Sequence, residues 1–457
     1  MSKFVDAIVK SLTTAICCLC LSIAALSQSA PTPETTAGAL TLDSCVAYAL
    51  KHEPLINMAL VNVAIVDATN RIATSGWLPQ VNATGTFTHY NTLPTTFFTN
   101  NGNITTQKSG VINTATPAVG VSQTIFNPSL LYAVKAAPLF TKQAQQITDS
   151  TKIEIIAAVS KTFYSLLNTL EQINVLKEDT ARLAKNVSDT YHQYISGVND
   201  KTNYDEAVIS LNNSLFSLRQ ANESVRPQYA QLKQVMGYPP TQHFNVLYDT
   251  LQMQSDIVFD TTLTLDMTKR PEYQYLQTTK QLQLQTINYY RHAWLPTLNA
   301  FFNYEDEFQN NNFGKMFSQG YPFSYEGLTL SIPIFTGFAR VQNVRKARLQ
   351  FDLLDWSEVQ LKSQIWTDYT TAMANYKSNL YNLGISKENS ALAKETYDIV
   401  QLQYLQGVVP YLNVITAETN LITAELTYET SLFQVLSSKI DLEKAMGIIT
   451  VNNPPSK

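Results

Sequence analysis

Apolar residues recur every seven positions along two stretches of this chain. Tyr204, Leu211, Leu218, Val225 and Leu232 form one series, and Val414, Leu421, Tyr428, Val435 and Leu442 form a second, 210 residues later. A seven-residue period sustained this long predicts a helix packed lengthwise, as in a coiled coil. The flanks repeat at the same offset: Tyr194-Ile-Ser-Gly197 returns as Tyr404-Leu-Gln-Gly407, and Val235-Met-Gly237 as Ala445-Met-Gly447. Glycine suits the left-handed residue that ends a helix, so Gly197 and Gly407 predict the points where one helix turns back into the next. The chain therefore reads as a helical hairpin used twice.

A second pattern precedes each hairpin. Trp77-Leu-Pro-Gln-Val-Asn-Ala83 recurs as Trp294-Leu-Pro-Thr-Leu-Asn-Ala300, and in both places helical periodicity gives way to alternation. Val81, Ala83, Gly85 and Phe87 alternate with Asn82, Thr84, Thr86 and Thr88, as expected of a strand with one apolar and one polar face. Val119, Val121 and Ile125 predict a second strand, after a Thr/Asn/Gly-rich loop from about Asn91 to Thr116. Leu298, Ala300, Phe302 and Tyr304 predict a third. Leu328, Leu330, Ile332 and Ile334 predict a fourth, with Pro333 near its end.

The helices are bounded by local chemistry. Asp43 or Ser44 caps a helix running to about Ser75, and another runs from about Met267 to His292. Asn127 caps a longer one whose first position is Pro128, with Pro138 expected to bend or interrupt it. The resulting division is a signal peptide (1–27), a leader (28–40), a first repeat (41–237), an equatorial connector (238–264), a second repeat (265–447) and a tail (448–457). The first repeat holds a strand pair (78–126) and a helical hairpin (128–237), and the second a strand pair (296–335) and a hairpin (338–447). The fold class is mainly α, with tandem-duplicated long helical hairpins and four strands per chain.

Composition narrows the function. Charged residues make up 15% of the 457, and the net charge of −4 gives no basic surface for nucleic acid. Ser11 to Leu26 is a short apolar run behind Lys3 and Lys10, with small residues at Ala25-Leu26-Ser27, as in a secretory signal. No later stretch reads as the 18 or more apolar residues of a transmembrane helix. Cys17, Cys18 and Cys20 lie in the signal, so Cys45 is left alone as a small packing residue. His52, His89, His192, His243 and His292 are scattered without metal-ligand spacing, and no phosphate loop or nucleophile elbow is present. Glu305-Asp306-Glu307 clusters carboxylates at a strand end, where a solvated rim is the simplest reading. No cofactor and no catalytic residue are expected.

Four strands with one polar face each can neither close a barrel nor bury a sandwich core. A polar face meeting water and an apolar face meeting lipid are the two demands a transmembrane barrel satisfies. Phe87, Phe302, Leu328, Leu330 and Ile332 are then the lipid-facing candidates. Closure requires other copies of the chain, and three copies supply twelve strands. The competing reading is a secreted coiled-coil scaffold or adhesin with a small soluble β head.

The duplicated Trp-Leu-Pro-x-[Val/Leu]-Asn-Ala units, the run Gly327-Leu-Thr-Leu-Ser-Ile-Pro-Ile-Phe335-Thr-Gly337 and the Tyr-x-x-Gly tips resemble the TolC-type outer-membrane efflux proteins. The likeness covers essentially all of the mature chain. It implies a homotrimer whose twelve-stranded barrel continues into an α-helical tunnel across the periplasm. It further implies a periplasmic adaptor protein and an inner-membrane pump as partners, in a double-membraned bacterium. On that basis the chain is an outer-membrane exit duct of a tripartite efflux or secretion system. Gly197, Val198, Gly407, Val408 and Val409 are the expected adaptor-docking tips. The family narrows the tunnel beyond each tip with polar and charged side chains, often acids, at positions matching Asn203, Asn413 and Thr416. This chain is uncharged at all three. Tyr404 matches a tyrosine used there in inter-helix contacts of the closed state, and Val409 stands where some members carry an arginine.

Overall fold

The computed structural model describes residues 39–100, 103–247, 257–260 and 262–449. The expected signal peptide with its three cysteines, and parts of the leader, connector and tail, lie outside them. Two compact units are distinguished. In the small one, strands β1 (Ala39–Leu40) and β6 (Asn245–Val246) pair in parallel. The remaining elements belong to the large unit.

Its first helix, α1 (Leu42–His52), is capped by Thr41, whose hydroxyl accepts from the Ser44 amide. The single helix expected up to Ser75 is in fact two. Glu53 is extended and Pro54 opens α2 (Pro54–Thr74), because a residue before proline is pushed out of the helical region. Cys45 is fully buried and free, and burial raises its thiol to about 12. Contrary to the sequence reading, residues 54–77 do reach the length and mean hydropathy, 1.2, of a membrane span. That helix is nevertheless docked on protein: Asn70 donates to the Ala137 carbonyl at 3.0 Å, and Asp67 accepts from the Thr141 hydroxyl at 2.7 Å.

Strands β2 (Gln80–His89) and β5 (Asn113–Phe126) flank a separate hairpin of β3 (Thr95–Asn100) and β4 (Asn103–Lys108). The expected loop is therefore largely strand, since its threonines favour extended backbone as much as turns. Strand β5 also begins earlier than its apolar alternation does. Pro117 lies within it, where the pairing with the neighbouring strand skips from Ala115 to Ala118 and so leaves no demand for the missing donor.

Helix α3 (Pro128–Ile195) is capped by Asn127, whose side chain accepts from the Ser129 amide, and runs 68 residues, about 100 Å. Pro138 does not interrupt it: the helix continues through the proline, and packing along the rest of its length offsets the lost hydrogen bond. Helix α4 (Lys201–Met236) returns alongside. In the second repeat α5 (Pro271–His292) follows a short 3₁₀ turn, again with proline first. Then come β7 (Thr297–Asn310), β8 (Gly320–Ser331), α6 (Ala339–Leu405) and α7 (Tyr411–Ala445).

The sheet order is β2-β5-β7-β8, antiparallel throughout, so β2 and β8 are its edges. Its register places Val81, Val121 and Phe302 side by side, with Phe87 opposite Ala115, Leu328 opposite Ala300 and Leu330 opposite Leu298, all on one face. Asn82, Thr84, Thr86, Asn299 and Asn303 occupy the other. Two departures qualify the expected alternation. Ile332 lies beyond the end of β8, and towards Gly320 that strand reverses its polarity, with Glu326 and Ser324 on the apolar face and Phe323 and Tyr325 on the polar one.

The helical core is a lengthwise seam of α3 against α7, where Val159, Phe163, Leu166 and Leu167 are buried together with Leu432, Val435, Leu436 and Ile440. Lys161–Asp441 and Lys444–Glu154 ion pairs tie the same two helices. In the second heptad series Val414, Leu421, Val435 and Leu442 are buried, whereas in the first only Leu232 is.

Each return helix ends on a left-handed glycine set against the start of an ascending helix. Gly237 (φ 65°) abuts the backbone of His52 and Glu53, and Gly447 (φ 68°) that of Lys269 and Arg270. A Cβ at Gly237 would stand 2.6 Å from the His52 carbonyl oxygen. Gly237→Ala thus meets both conformational strain and a backbone clash, and is expected to cost about 2 kcal/mol or more. Thermal denaturation of the purified protein checks this, with Gly384→Ala as control, where a Cβ meets open space.

Candidate functional site

The two hairpin tips are built alike. The Gly197 amide donates to the Tyr194 carbonyl at 3.0 Å and the Val198 amide to that of Gln193 at 2.9 Å. Gly407 and Val408 repeat this with Tyr404 and Gln403, both at 2.9 Å. This is the Schellman closure, which satisfies the last helical carbonyls and needs a left-handed residue, here Gly197 (φ 77°) and Gly407 (φ 74°). A Cβ at either glycine would meet nothing within 4 Å, so the backbone angle alone calls for glycine. Val198 and Val408 are exposed beyond the turns, and Val409 is half-buried.

Tyr404 reaches from one hairpin to the other. Its hydroxyl donates to Gln193 Oε1 at 2.6 Å and accepts from Asn199 Nδ2 at 2.8 Å. Its ring packs 5.3 Å from that of buried Tyr411 and against a cluster of Ala207, Tyr397, Val414, Ala417 and Leu421. Among the described residues no hydrogen bond joins Asn203, Asn413 and Thr416 to one another. Asn413 and Thr416 are exposed on α7 and Asn203 is half-buried on α4, with the Asn203 and Asn413 amides each donating three residues back, to Asp200 and Pro410. The position in the first hairpin equivalent to Thr416 is Glu206, an acid that comparison of the two repeats reveals.

Further along the hairpins lies a cluster the sequence reading missed. Asp179, Arg182 and Asn186 on α3, Ser214 on α4, Tyr397 on α6, and Glu418 and Glu425 on α7 converge between all four helices. Asp179 accepts from the Ser214 hydroxyl at 2.6 Å and pairs with Arg182 at 3.3 Å, while Glu418 accepts from Asn186 at 3.1 Å. Arg182 also reaches Glu425 at 3.6 Å and lies 6.0 Å from the Tyr397 ring centre. Three carboxylates share one guanidinium. Burial, and then the charge of Asp179, raise Glu418 to about 7. The signal was legible in principle: Leu176-Asp179-Leu183 and Val414-Glu418-Leu421 each seat an acid where the helical spacing calls for an apolar residue.

The carboxylate run on β7 is divided by the pleat. Asp306 shares the face of Phe302, whereas Glu305 and Glu307 share the other, where Glu305 accepts from the Tyr325 hydroxyl at 2.9 Å. Among the described residues no group of His, Cys, Asp and Glu is placed to hold a metal ion.

Duplicated helical hairpins rooted in a two-faced, open-edged antiparallel sheet are the frame of an outer-membrane channel protein. The family model described as outer membrane efflux protein matches residues 46–238 and 269–448, and the chain belongs to that family. No curated protein matches the sequence significantly. Solved structures of the same fold include CusC, at 14% identity and a TM-score of 0.72 over 89% of this chain and 91% of that one. The outer membrane protein VceC from Vibrio cholerae matches at 14% identity and 0.68, over 89% and 96%. The outer membrane channel CmeC from Campylobacter jejuni matches at 17% and 0.69, over 89% and 85%.

Two outcomes are expected of this region. Tyr404→Phe removes the polar bridge between the tips, worth about 1–2 kcal/mol, and should speed amide hydrogen exchange of residues 193–199 while leaving the α3–α7 seam protected. Because Glu418 is raised, the folded protein binds a proton that the unfolded chain releases near 4.5, so its contribution to stability falls as pH rises from about 4.5 to about 7. Glu418→Gln should match the wild type at the acid end of that window and exceed it above about pH 7, by on the order of 1–3 kcal/mol. Glu429, raised to about 7 by burial and by Glu171 and Glu425, keeps its share of the slope in both proteins. Parallel melting-temperature curves against pH would contradict the assignment.

Proposed function

We propose that the protein is the outer-membrane exit duct of a tripartite efflux or secretion system, conducting cargo passively from a periplasm-spanning assembly to the outside. The observation that carries this reading is the sheet: four strands, one largely apolar face, and edges β2 and β8 that pair with no further strand among the described residues. In lipid each unpaired backbone group costs several kcal/mol, so β8 of one copy pairs with β2 of the next, and three copies close a twelve-stranded barrel. Phe87, Phe302, Leu328 and Leu330 then face lipid, with Ile332 just past the strand.

The helices support the same assembly. Exposed apolar residues follow helical spacing along α2 (Met58, Val61, Ile65, Ile72), along α4 (Ile209, Phe216) and along α6 (Leu349, Leu353, Trp356 and Ile385, Leu392, Ile399). Among the described residues these stripes stay exposed, and they suit the helices of adjacent copies, closing a tunnel below the barrel. The tips carry exposed Val198 and Val408 beside Gly197, Gly407 and Val409, a small apolar end on which a periplasmic adaptor packs. An inner-membrane pump beyond the adaptor supplies the energy. Within the tunnel mouth Tyr404 joins the hairpins, Asn203, Asn413 and Thr416 line an aperture held by polar contacts and helix packing, and Glu206, at the first-hairpin position equivalent to Thr416, is the acid beside it.

The test exploits the strand faces. Leu328→Lys places a charge in lipid and is expected to cost up to about 2–4 kcal/mol, whereas Thr329→Lys, on the lumen side, costs little. Outer-membrane trimer yield, measured by fractionation and light scattering in detergent, should fall for the first variant only. A monodisperse folded monomer of the wild type, or equal yields for both variants, would refute the duct.

A further inference from the structure

Four arginines gather where the helices meet the sheet. The last turn of α5 and the first turns of α6 enclose an open groove of about 730 Å³ lined by Tyr290, Arg291, Trp294, Arg340, Arg345 and Arg348. Trp294 sits just ahead of β7, which starts at Thr297, and Arg340 is the second residue of α6, the helix that follows β8. We propose that this groove binds the phosphate of an anionic phospholipid from the leaflet bordering the helical end of the barrel. The inference rests on the duct reading, which puts the sheet in the outer membrane.

Charge supplies the first argument. All four guanidinium groups are exposed, and among the described residues none pairs with a carboxylate. Arg182, Arg219 and Arg270 pair with Asp179, Glu223 and Glu272, and Arg71 and Arg226 stand singly, so the groove is where several unpaired guanidinium groups come together among the described residues. Planar guanidinium groups donate paired hydrogen bonds that match phosphate oxygens, so a cluster left open to one side fits a phosphate better than a point cation would. No side chain caps α6, whose N-cap residue Phe338 is itself left-handed (φ 64°), so the helix's positive end adds to the field of the cluster.

The surroundings argue for lipid over a soluble anion. Exposed Trp294 and Val341 line the groove beside the arginines, and Ile334, Phe335 and Phe338 are exposed in the segment that leads into α6, an apolar surface that acyl chains cover and a free ion does not. Tryptophan beside basic residues at the end of a membrane-spanning element is the usual composition of the lipid interface. The internal repeat excludes a structural requirement. At the equivalent positions 210 residues earlier stand Leu130, Lys135 and Pro138, and that helix start forms without the cluster.

The experiment measures lipid retention on the intact trimer, delipidated in detergent and titrated with phosphatidylglycerol or phosphatidylcholine of identical chains, by native mass spectrometry. The wild type should retain phosphatidylglycerol preferentially, and excess inorganic phosphate should not displace it. Arg345→Gln combined with Arg348→Gln should weaken retention roughly thirtyfold, while the corresponding double lysine variant keeps a measurable part of it. Equal retention of the two lipids by the wild type, unchanged retention in the glutamine variant, or displacement by phosphate alone would overturn the proposal. So would a trimer structure in which a carboxylate of an adjacent copy ion-pairs with these arginines. Trimer formation and bilayer conductance report separately on the duct. A trimer that conducts but shows no lipid preference sinks the inference alone, and a wild type that forms no membrane trimer sinks both.

Discussion

The fold depends on the lengthwise seam between α3 and α7. A helix of 68 residues gains too little from its own hydrogen bonds to persist alone in water, and an apolar face packed along its length stabilises it instead. α3 contacts α2 and α4 of the first repeat and α5 and α7 of the second. Val159, Phe163, Leu166 and Leu167 of α3 and Val435, Leu436 and Ile440 of α7 are all buried, each contributing roughly 1.5–3 kcal/mol. With the seam in place the hairpins need only short closures at their ends, and the glycine turns provide them.

What the sequence disclosed follows from how local each signal is. Asn127-Pro128 marked a helix start because an accepting side chain and a donor-free first residue act within one turn. The Gly197 and Gly407 turns were equally local, and duplication marked them twice. Three features needed longer-range information. The Glu53-Pro54 break was hidden by apolar periodicity continuing through it. The β3–β4 hairpin was hidden by threonines whose extended preference is realised only by cross-strand pairing. The early start of β5 was masked by Pro117, whose fit rests on a skip in a partner almost two hundred residues away. In α2, Asn57, Asn62, Asp67 and Asn70 interrupt the apolar run without lowering its mean hydropathy far, so no unbroken apolar stretch announces the span.

The candidate site was legible to a similar depth. Position along the hairpin came from the repeats, and Tyr404 stood out by its offset from Tyr194. Its partners Gln193 and Asn199 belong to the other hairpin, and no local pattern announces a contact across that distance. The acids Asp179 and Glu418 were visible as exceptions to an apolar spacing, but their convergence on Arg182 required the packing of four helices. Buried like charges beside a single guanidinium make that region responsive to protons.

The unequal burial of the two heptad series has a consequence of its own. In α7 the repeating residues are enclosed by the chain's other helices, whereas in α4 the same repeat is mostly half-open. Duplication thus produced two versions of one surface, of which only one is committed to the protomer's interior. Substitutions along α7 are judged by folding, and substitutions along α4 by whatever lies outside. The two copies are consequently free to drift under different selection, one pinned by its own chain and the other by its company.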